Sequence, residues 1–404
     1  MTSISHLPLA MLCEPSRDML APDGAEALQR RYVGLEDIES GTGLIASVAA
    51  GNELERDVAS ATFAFDQRHV LYGKLRPYLN KVALPTFVGR CSTEIIPLRP
   101  TNLVSREYLS LLLRSNRVIG AAMRGAVGSR MPRANLDELM QVVLPVMPPE
   151  EQLAFVRRIA AQTAAAAKAN RALADQAADV SSLSRALLEQ VFQGLTPISE
   201  GAAKLLVERW TSLPLISVAR LESGHTPSRR HPEWWDGPVP WLALPDIRML
   251  HGKLAHETTE KINDAGLANS SARLLPVGTV CVCRDASIGF VTMLGRPMAT
   301  SQHFCKWVCD PEHLEPEFLM HAFMASFDCL HELGSGSVLK TIYMPTIQSF
   351  HIAAPAIAEQ RRIARTLRDQ LAAAEALQKR LSERQAEIER LPQRILAAAF
   401  GEAD

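Results

Sequence analysis

The sequence carries almost no net charge: 43 Lys and Arg against 44 Asp and Glu leave −1 at pH 7. A strongly basic total is the easy sign of a nucleic-acid partner, and its lack means that any such partner must be argued from local clusters. There is also no apolar run of the roughly eighteen residues a membrane span needs. Met1 to Asp18 does not show the basic-then-apolar layout of a secretory signal, so a cytoplasmic protein is expected. Chemistry-bearing strings are missing as well: no G-x-x-x-x-G-K-[ST], no G-x-G-x-x-G, no G-x-S-x-G, no H-E-x-x-H, and no Asn-Pro-Pro or Asp-Pro-Pro before an aromatic. Catalysis and a bound cofactor are therefore not expected. The seven cysteines are an odd number, five of them in the second half, which does not suit a disulfide framework. Cys281, Cys283, His303, Cys305 and Cys309 hold enough sulfur and nitrogen for zinc, yet their spacing matches no zinc pattern and buried thiols are the expected outcome.

What is present is a globular composition, 47% apolar and 22% charged over 404 residues, enough for two or three units. The chain repeats itself at an offset of about 208 residues, too long a period for a solenoid of short units. Leu7-Pro8-Leu9 returns as Leu213-Pro214-Leu215, and Tyr32 to Ile38 as Trp241 to Ile247. Gly128-Ser129 returns as Gly336-Ser337, Glu151-Gln152 as Glu359-Gln360, and Phe192 as Phe400. Constant offset and unbroken order mark a duplicated domain.

From Glu150 to Phe192 and from Ala358 to Phe400 the sequence is rich in Ala, Leu, Gln, Arg and Glu and lacks glycine, which predicts two long helices. Spacings of four and three give a seam at Ile363, Leu367, Gln370, Ala374, Leu377, Leu381, Arg384, Ile388, Leu391 and Ile395. The first helix repeats it at Phe155, Ile159, Gln162, Ala166, Ala169, Leu173, Gln176, Val180, Leu183 and Leu187. A 3.5-residue period predicts a coiled coil, with independent amphipathic helices as the alternative. Pro392 is expected to break or kink the second helix.

Residues 1–149 and 195–357 have short β-branched runs with frequent Gly and Pro and read as mixed α+β. Val277 to Cys283 and Ile288 to Met293 are predicted neighbouring strands around Arg284-Asp285-Ala286-Ser287, and His69 to Tyr78 holds the matching place in the first half. Between Asp66 and Arg90 stand Arg68, Lys74, Arg76, Lys81 and Arg90, interleaved with Tyr72, Tyr78 and Phe87. Arg124, Arg130 and Arg133 form a second basic group. Arg and Lys suit phosphates and guanine edges, whereas Asn and Gln suit adenine. The candidate DNA-binding residues are Lys74, Arg76, Tyr78, Arg90, Ser92 and Arg130 in the first half. In the second they are Thr226, Ser228, Arg229, Arg284, Ser287, Gln302 and Lys340, within a surface that includes Ser335 to Lys340. A solvated basic loop is the bland reading of each cluster, and Trp234-Trp235 is more readily a loop anchor than a base-stacking pair.

These residues resemble the specificity subunit of type I restriction-modification systems. Leu71 to Leu79 with Ser92-Thr93-Glu94, and Tyr32 to Glu36 with Ser40 to Gly43, look like one class of its target-recognition domain. Gly224 to Ser228, Trp234 to Gly237 and Val239-Pro240-Trp241 are similar to the opening of another, and Pro148 to Gln152 and Ala358 to Gln360 match the starts of the spacer helices. The resemblance implies target-recognition domains at 1–149 and 195–357, each followed by a helix (150–194 and 358–404), the two helices forming an antiparallel coiled coil. It implies double-stranded DNA read as a bipartite asymmetric site, no catalysis in this subunit, and partner modification (methyltransferase) subunits, two of them, plus restriction subunits. A non-catalytic coiled-coil scaffold, or a two-domain DNA-binding protein outside restriction-modification, is the alternative.

Overall fold

A computed structural model describes residues 4–22, 24–46, 60–128, 130–192, 210–334 and 340–402. Ser129 and residues 335–339, which include Ser335, Gly336 and Ser337, lie outside them. The chain forms two compact units: unit 1 is residues 1–175 with 381–404, and unit 2 is residues 176–380.

In unit 1 the strands are β1 (Ser5–Pro8), β2 (Cys13–Pro15), β3 (Met19–Leu20), β4 (Arg31–Val33), β5 (Thr62–Phe65), β6 (Val70–Gly73), β7 (Val82–Ala83), β8 (Gly89–Ser92), β9 (Ile95–Pro100) and β10 (Val143–Val146). They make two four-stranded sheets, ordered β2-β9-β6-β7 and β3-β5-β8-β4, and the pair β1-β10. Helices α1 (Arg106–Leu113) and α2 (Asn116–Arg124) follow, started by Ser105 and Ser115, whose side chains accept from Tyr108 N and Val118 N. Every residue of β6 is buried, which is why it reads as an unbroken apolar run rather than an alternating one.

Helix α3 spans Pro149–Phe192, with Pro149 at its start and Glu150 and Glu151 complementing the dipole of its first turn. Unit 2 carries β11 (Thr211–Pro214), β12 (Ala219–Glu222), β13 (Trp235–Leu242), β14 (Leu254–Ala255), β15 (Glu260–Ile262), β16 (Val280–Cys283), β17 (Val291–Leu294), β18 (Ala299–Thr300), β19 (Phe304–Cys309) and β20 (His351–Ala354). Its sheets are β12-β19-β16-β17-β14, β15-β13-β18 and β11-β20. Helix α4 (Pro316–Ala325) covers the larger sheet, and helix α5 spans Ile357–Ala399. The strands predicted around residues 277–293 are β16 and β17, antiparallel with Val282 opposite Val291.

The same hydrogen-bond pattern stands at the start of both long helices. In unit 1 the buried Gln152 accepts from Ser105 N at 2.8 Å and donates to Leu103 O at 2.8 Å and Met147 O at 3.0 Å. In unit 2 the buried Gln360 accepts from Glu315 N at 3.0 Å and donates to His313 O at 3.0 Å and Pro355 O at 2.9 Å. One amide fills three hydrogen-bonding demands and ties the first turn of a long helix to its globular segment.

Each long helix contributes to both units. Within unit 1, Phe155 of α3 packs on Phe400, just past the end of α5, with centroids 5.4 Å apart, and Ile159 and Leu396 join the same core. Within unit 2, Leu188 and Phe192 of α3 share a core with Ala364 and Leu367 of α5. The burial pattern corrects part of the predicted seam. Ile363, Leu367, Ala374, Leu381, Ile388, Leu391 and Ile395 are covered as expected, but Gln370, Leu377 and Arg384 are exposed and Leu371, Gln378 and Gln385 are covered beside them. The same one-residue shift occurs in α3, where Thr163, Asn170, Ala177 and Ser184 replace Gln162, Ala169, Gln176 and Leu183. Of the break or kink expected at Pro392, the break does not occur: the helix continues to Ala399. Proline removes one donor, but Gln393 donates to Arg114 O at 3.1 Å and Asn116 Oδ1 at 2.7 Å, and Leu396 and Ala397 are buried, which holds the last turns in place.

Candidate nucleic-acid interface

In each unit a buried central strand runs out into a turn of the same backbone design. In unit 1, β6 ends at Gly73 and Lys74 follows; its N–H donates to Glu94 O at 2.9 Å and its carbonyl accepts from Ala134 N at 2.9 Å. Leu75 bridges antiparallel to Arg133, and Arg76 takes the left-handed conformation at φ 51°. In unit 2, β16 ends at Cys283 and Arg284 follows, donating to His303 O at 3.0 Å and accepting from Ile342 N at 2.8 Å. Asp285 bridges to Thr341 and Ala286 is left-handed at φ 49°. A non-glycine residue in that region costs on the order of 1 kcal/mol, so its presence at the same point of both units reflects a turn fixed by its surroundings.

Around the unit 1 turn, Arg133 Nε meets both carboxylate oxygens of Glu94 at 3.0 and 3.1 Å, and Glu94 N–H is capped by Ser92 Oγ at 3.2 Å. Arg76 N–H donates to Pro132 O at 2.7 Å. Val127 and Arg133 exchange two 3.0 Å backbone bonds, closing a small hairpin with exposed Arg130 near its tip, and Gly128 takes the φ of 101° needed there. Lys74, Arg76, Ser92 and Arg130 are thus gathered on the segments 74–76, 92–94 and 127–133. Tyr78 is exposed and lines a cleft of about 450 Å³ with Thr42, Asn170 and Pro392. Arg90 is not on this surface: it is buried in β8, with its guanidinium 5.9 Å from the Tyr32 ring.

Around the unit 2 turn, Thr226 Oγ donates to Gln302 Oε1 at 2.6 Å, and His225 N–H donates to Thr300 O at 3.0 Å. His303 Nδ1 lies 2.7 Å from Asp285 Oδ1. Thr226, Arg284, Gln302 and the exposed Lys340, one residue before the 341–342 strap, converge on this end of the sheet. Ser287 is buried, and its Oγ accepts from Arg248 Nε at 2.8 Å. Arg229 is engaged within the protein: it is bidentate to Glu260 at 2.5 and 2.8 Å and sits 3.7 Å above the Trp235 ring. That pairing holds the Glu260 carboxyl below its ordinary range. Ser228 is exposed, its Oγ accepting from Arg230 N at 3.3 Å. Trp234 stacks on His231 at 4.1 Å, and Trp235 meets Trp241 edge-on at 5.0 Å, so both indoles pack within the fold.

Sequence reasoning named Glu94 and Asp285 only as parts of a motif and a turn and did not pick out Arg248 or Lys306; their role in holding these turns from beneath is a matter of tertiary adjacency, which no local spacing carries. The Cys281 and Cys283 thiols are pushed up to about 12 and that of Cys305 to about 11, chiefly by burial, which disfavours the thiolate a metal would need. Among the described residues no three His, Cys, Asp or Glu side chains form a metal-binding group, and no helix is long and apolar enough to cross a membrane.

A family model for the type I restriction modification DNA specificity domain matches residues 207–389. The chain is 24% identical over 178 residues to the type I restriction enzyme MjaIX specificity subunit of Methanocaldococcus jannaschii, covering 44% of this chain and 41% of that protein, so the match spans under half of the relative's length. The fold as a whole is similar to the HsdS subunit from Thermoanaerobacter tengcongensis, with TM-score 0.65 and 20% identity, covering 98% of this chain and 96% of that one. It is also similar, at TM-score 0.78 and 20% identity, to a chain from a study of complex assembly and conformational transition of the type I R-M system, covering 99% and 98%. Residues 207–389 thus match the type I restriction modification DNA specificity domain, and the fold along the chain is similar to that of the HsdS subunit.

Proposed function

We propose that this chain is the DNA-reading subunit of a type I restriction-modification complex and that its two globular segments each read one half of a bipartite, asymmetric site. The observation that carries this is the repeated turn. Its backbone bonds recur in both units while its side chains differ, Lys74-Leu75-Arg76 against Arg284-Asp285-Ala286, as two readers of different half-sites require. Segments 1–149 and 195–357 act as the target-recognition domains. Helices α3 and α5 act as an antiparallel coiled-coil spacer that sets the gap between half-sites.

Lys74, Arg76, Arg130 and Ser92 face the DNA from unit 1, and Thr226, Gln302, Arg284 and Lys340 from unit 2. The buried Arg90 and Ser287, and the Glu260-paired Arg229, act from beneath or beside these surfaces. The subunit is cytoplasmic and performs no chemistry; methylation and cleavage reside in two modification subunits and added restriction subunits. Methylome sequencing of a host carrying this gene with its modification partner should reveal one bipartite, asymmetric methylated motif. A short palindrome overturns the reading.

A further inference from the structure

Lys306 is the least expected residue of unit 2. It lies in β19 with no exposed surface, between Cys305 and Trp307, and pairs across the sheet with Cys281. An unpaired ammonium is expensive to bury and normally faces a carboxylate. Here Nζ donates instead to two backbone carbonyls, Ser301 O at 2.8 Å and Phe304 O at 2.5 Å. These carbonyls bracket the exposed Gln302, the side chain best suited in this unit to an adenine edge.

The opposite wall of the ammonium's pocket is Gly224. A Cβ there would stand 2.6 Å from Nζ, 2.4 Å from Thr300 O and 2.5 Å from Ser301 O, so only glycine lets the 223–227 segment approach. That segment delivers Thr226, which donates to Gln302 Oε1. Two loops therefore close over one buried cation, and the pair of side chains at their crest is Thr226 and Gln302. Burial also lowers the Lys306 ammonium to about 8, the strain expected of a charge kept for position.

We propose that Lys306 is a positioning residue for DNA specificity: by holding the Ser301 and Phe304 carbonyls it fixes the turn that presents Gln302 to the half-site read by unit 2. The inference rests on the DNA-reading function proposed above. Its consequence is asymmetric. Removing the tie loosens one half of the recognised motif and leaves the other half, and phosphate-driven affinity, in place.

The test is selection of bound duplexes from a random pool by the full chain with its modification partner, comparing wild type, Lys306→Met and Gln302→Ala. Lys306→Met keeps the stem and removes the donors; Gln302→Ala alters an exposed side chain and removes only its bond with Thr226. Both variants are expected to keep one half-motif intact and lose at least tenfold selectivity at the same positions of the other. Loss of both halves in Lys306→Met together with a collapsed thermal transition would mean a merely structural role and overturn the assignment. So would an intact motif in either variant. A wild-type chain that selects no motif at all overturns the DNA-reading function itself, an outcome distinct from selective wild type with unaltered variants.

Discussion

Replacing Gln360 by alanine removes three hydrogen bonds at one stroke. Glu315 N–H and the carbonyls of His313 and Pro355 lose their partner in a site that is 1% exposed. At about 1 kcal/mol of net stability per bond the loss is about 3 kcal/mol, and the desolvated orphans push it upward rather than down. A urea dependence of roughly 2 kcal/mol per molar turns that into a midpoint lowered by about 1.5 M. The assay is simple because all five tryptophans, Trp210, Trp234, Trp235, Trp241 and Trp307, lie in unit 2, so their fluorescence reports the unit that holds Gln360. Gln360→Met separates the bonds from the volume and should lose nearly as much. Gln360→Glu places an oxygen against two carbonyl oxygens at neutral pH, and should recover in part under acid as the carboxyl gains a proton to donate. A midpoint moved by less than about 0.5 M in Gln360→Ala would refute the reasoning, because under about 1 kcal/mol is too little for three buried bonds. The twin change Gln152→Ala, read by far-ultraviolet circular dichroism, should cost a similar amount.

Other expectations follow from the turns and the core. Lys74→Ala with Arg76→Gly removes two cations while relieving the left-handed strain at residue 76, so DNA affinity should fall and the salt slope shrink by about 2 with no loss of thermal stability; an unchanged slope removes these residues from the interface. His321, 1% exposed, has its imidazole depressed to about 4, first by burial and then by the nearby Arg368 charge. The unfolded chain therefore takes up that proton first. Stability should be fully present above about pH 6.5 and fall by about 2.5 kcal/mol towards pH 4.5, and His321→Leu should flatten that limb of the urea-midpoint profile.

The long helices were legible almost to the residue, because forty positions without glycine leave no competing structure. Their seam was legible only in part. Apolar residues are sparse there and several covered positions are Thr163, Asn170, Gln378 and Gln385, so a pattern built on hydrophobicity selects Leu377 and Leu183, which the structure leaves exposed. Glu-Gln was visible as a repeated dipeptide, but its meaning lies in Ser105 and Glu315, more than forty residues upstream in each unit. Among the basic residues the sequence reports charge and not depth. Arg90 and Lys74 look alike in a count, yet one is a strand residue inside a sheet and the other leads a turn. Lys306 is the converse case, a lysine invisible among apolar neighbours because nothing local distinguishes a buried strand cation from an edge one.

The frame of the repeated turn is made of main-chain bonds, Lys74 with Glu94 and Ala134 in one copy, Arg284 with His303 and Ile342 in the other, and none depends on which side chains stand there. A change at an exposed crest side chain such as Gln302 or Lys340 therefore leaves these main-chain bonds standing while changing what is presented. The fold and the presented surface are in this way separable, since the bonds that set the first do not pass through the side chains that make up the second.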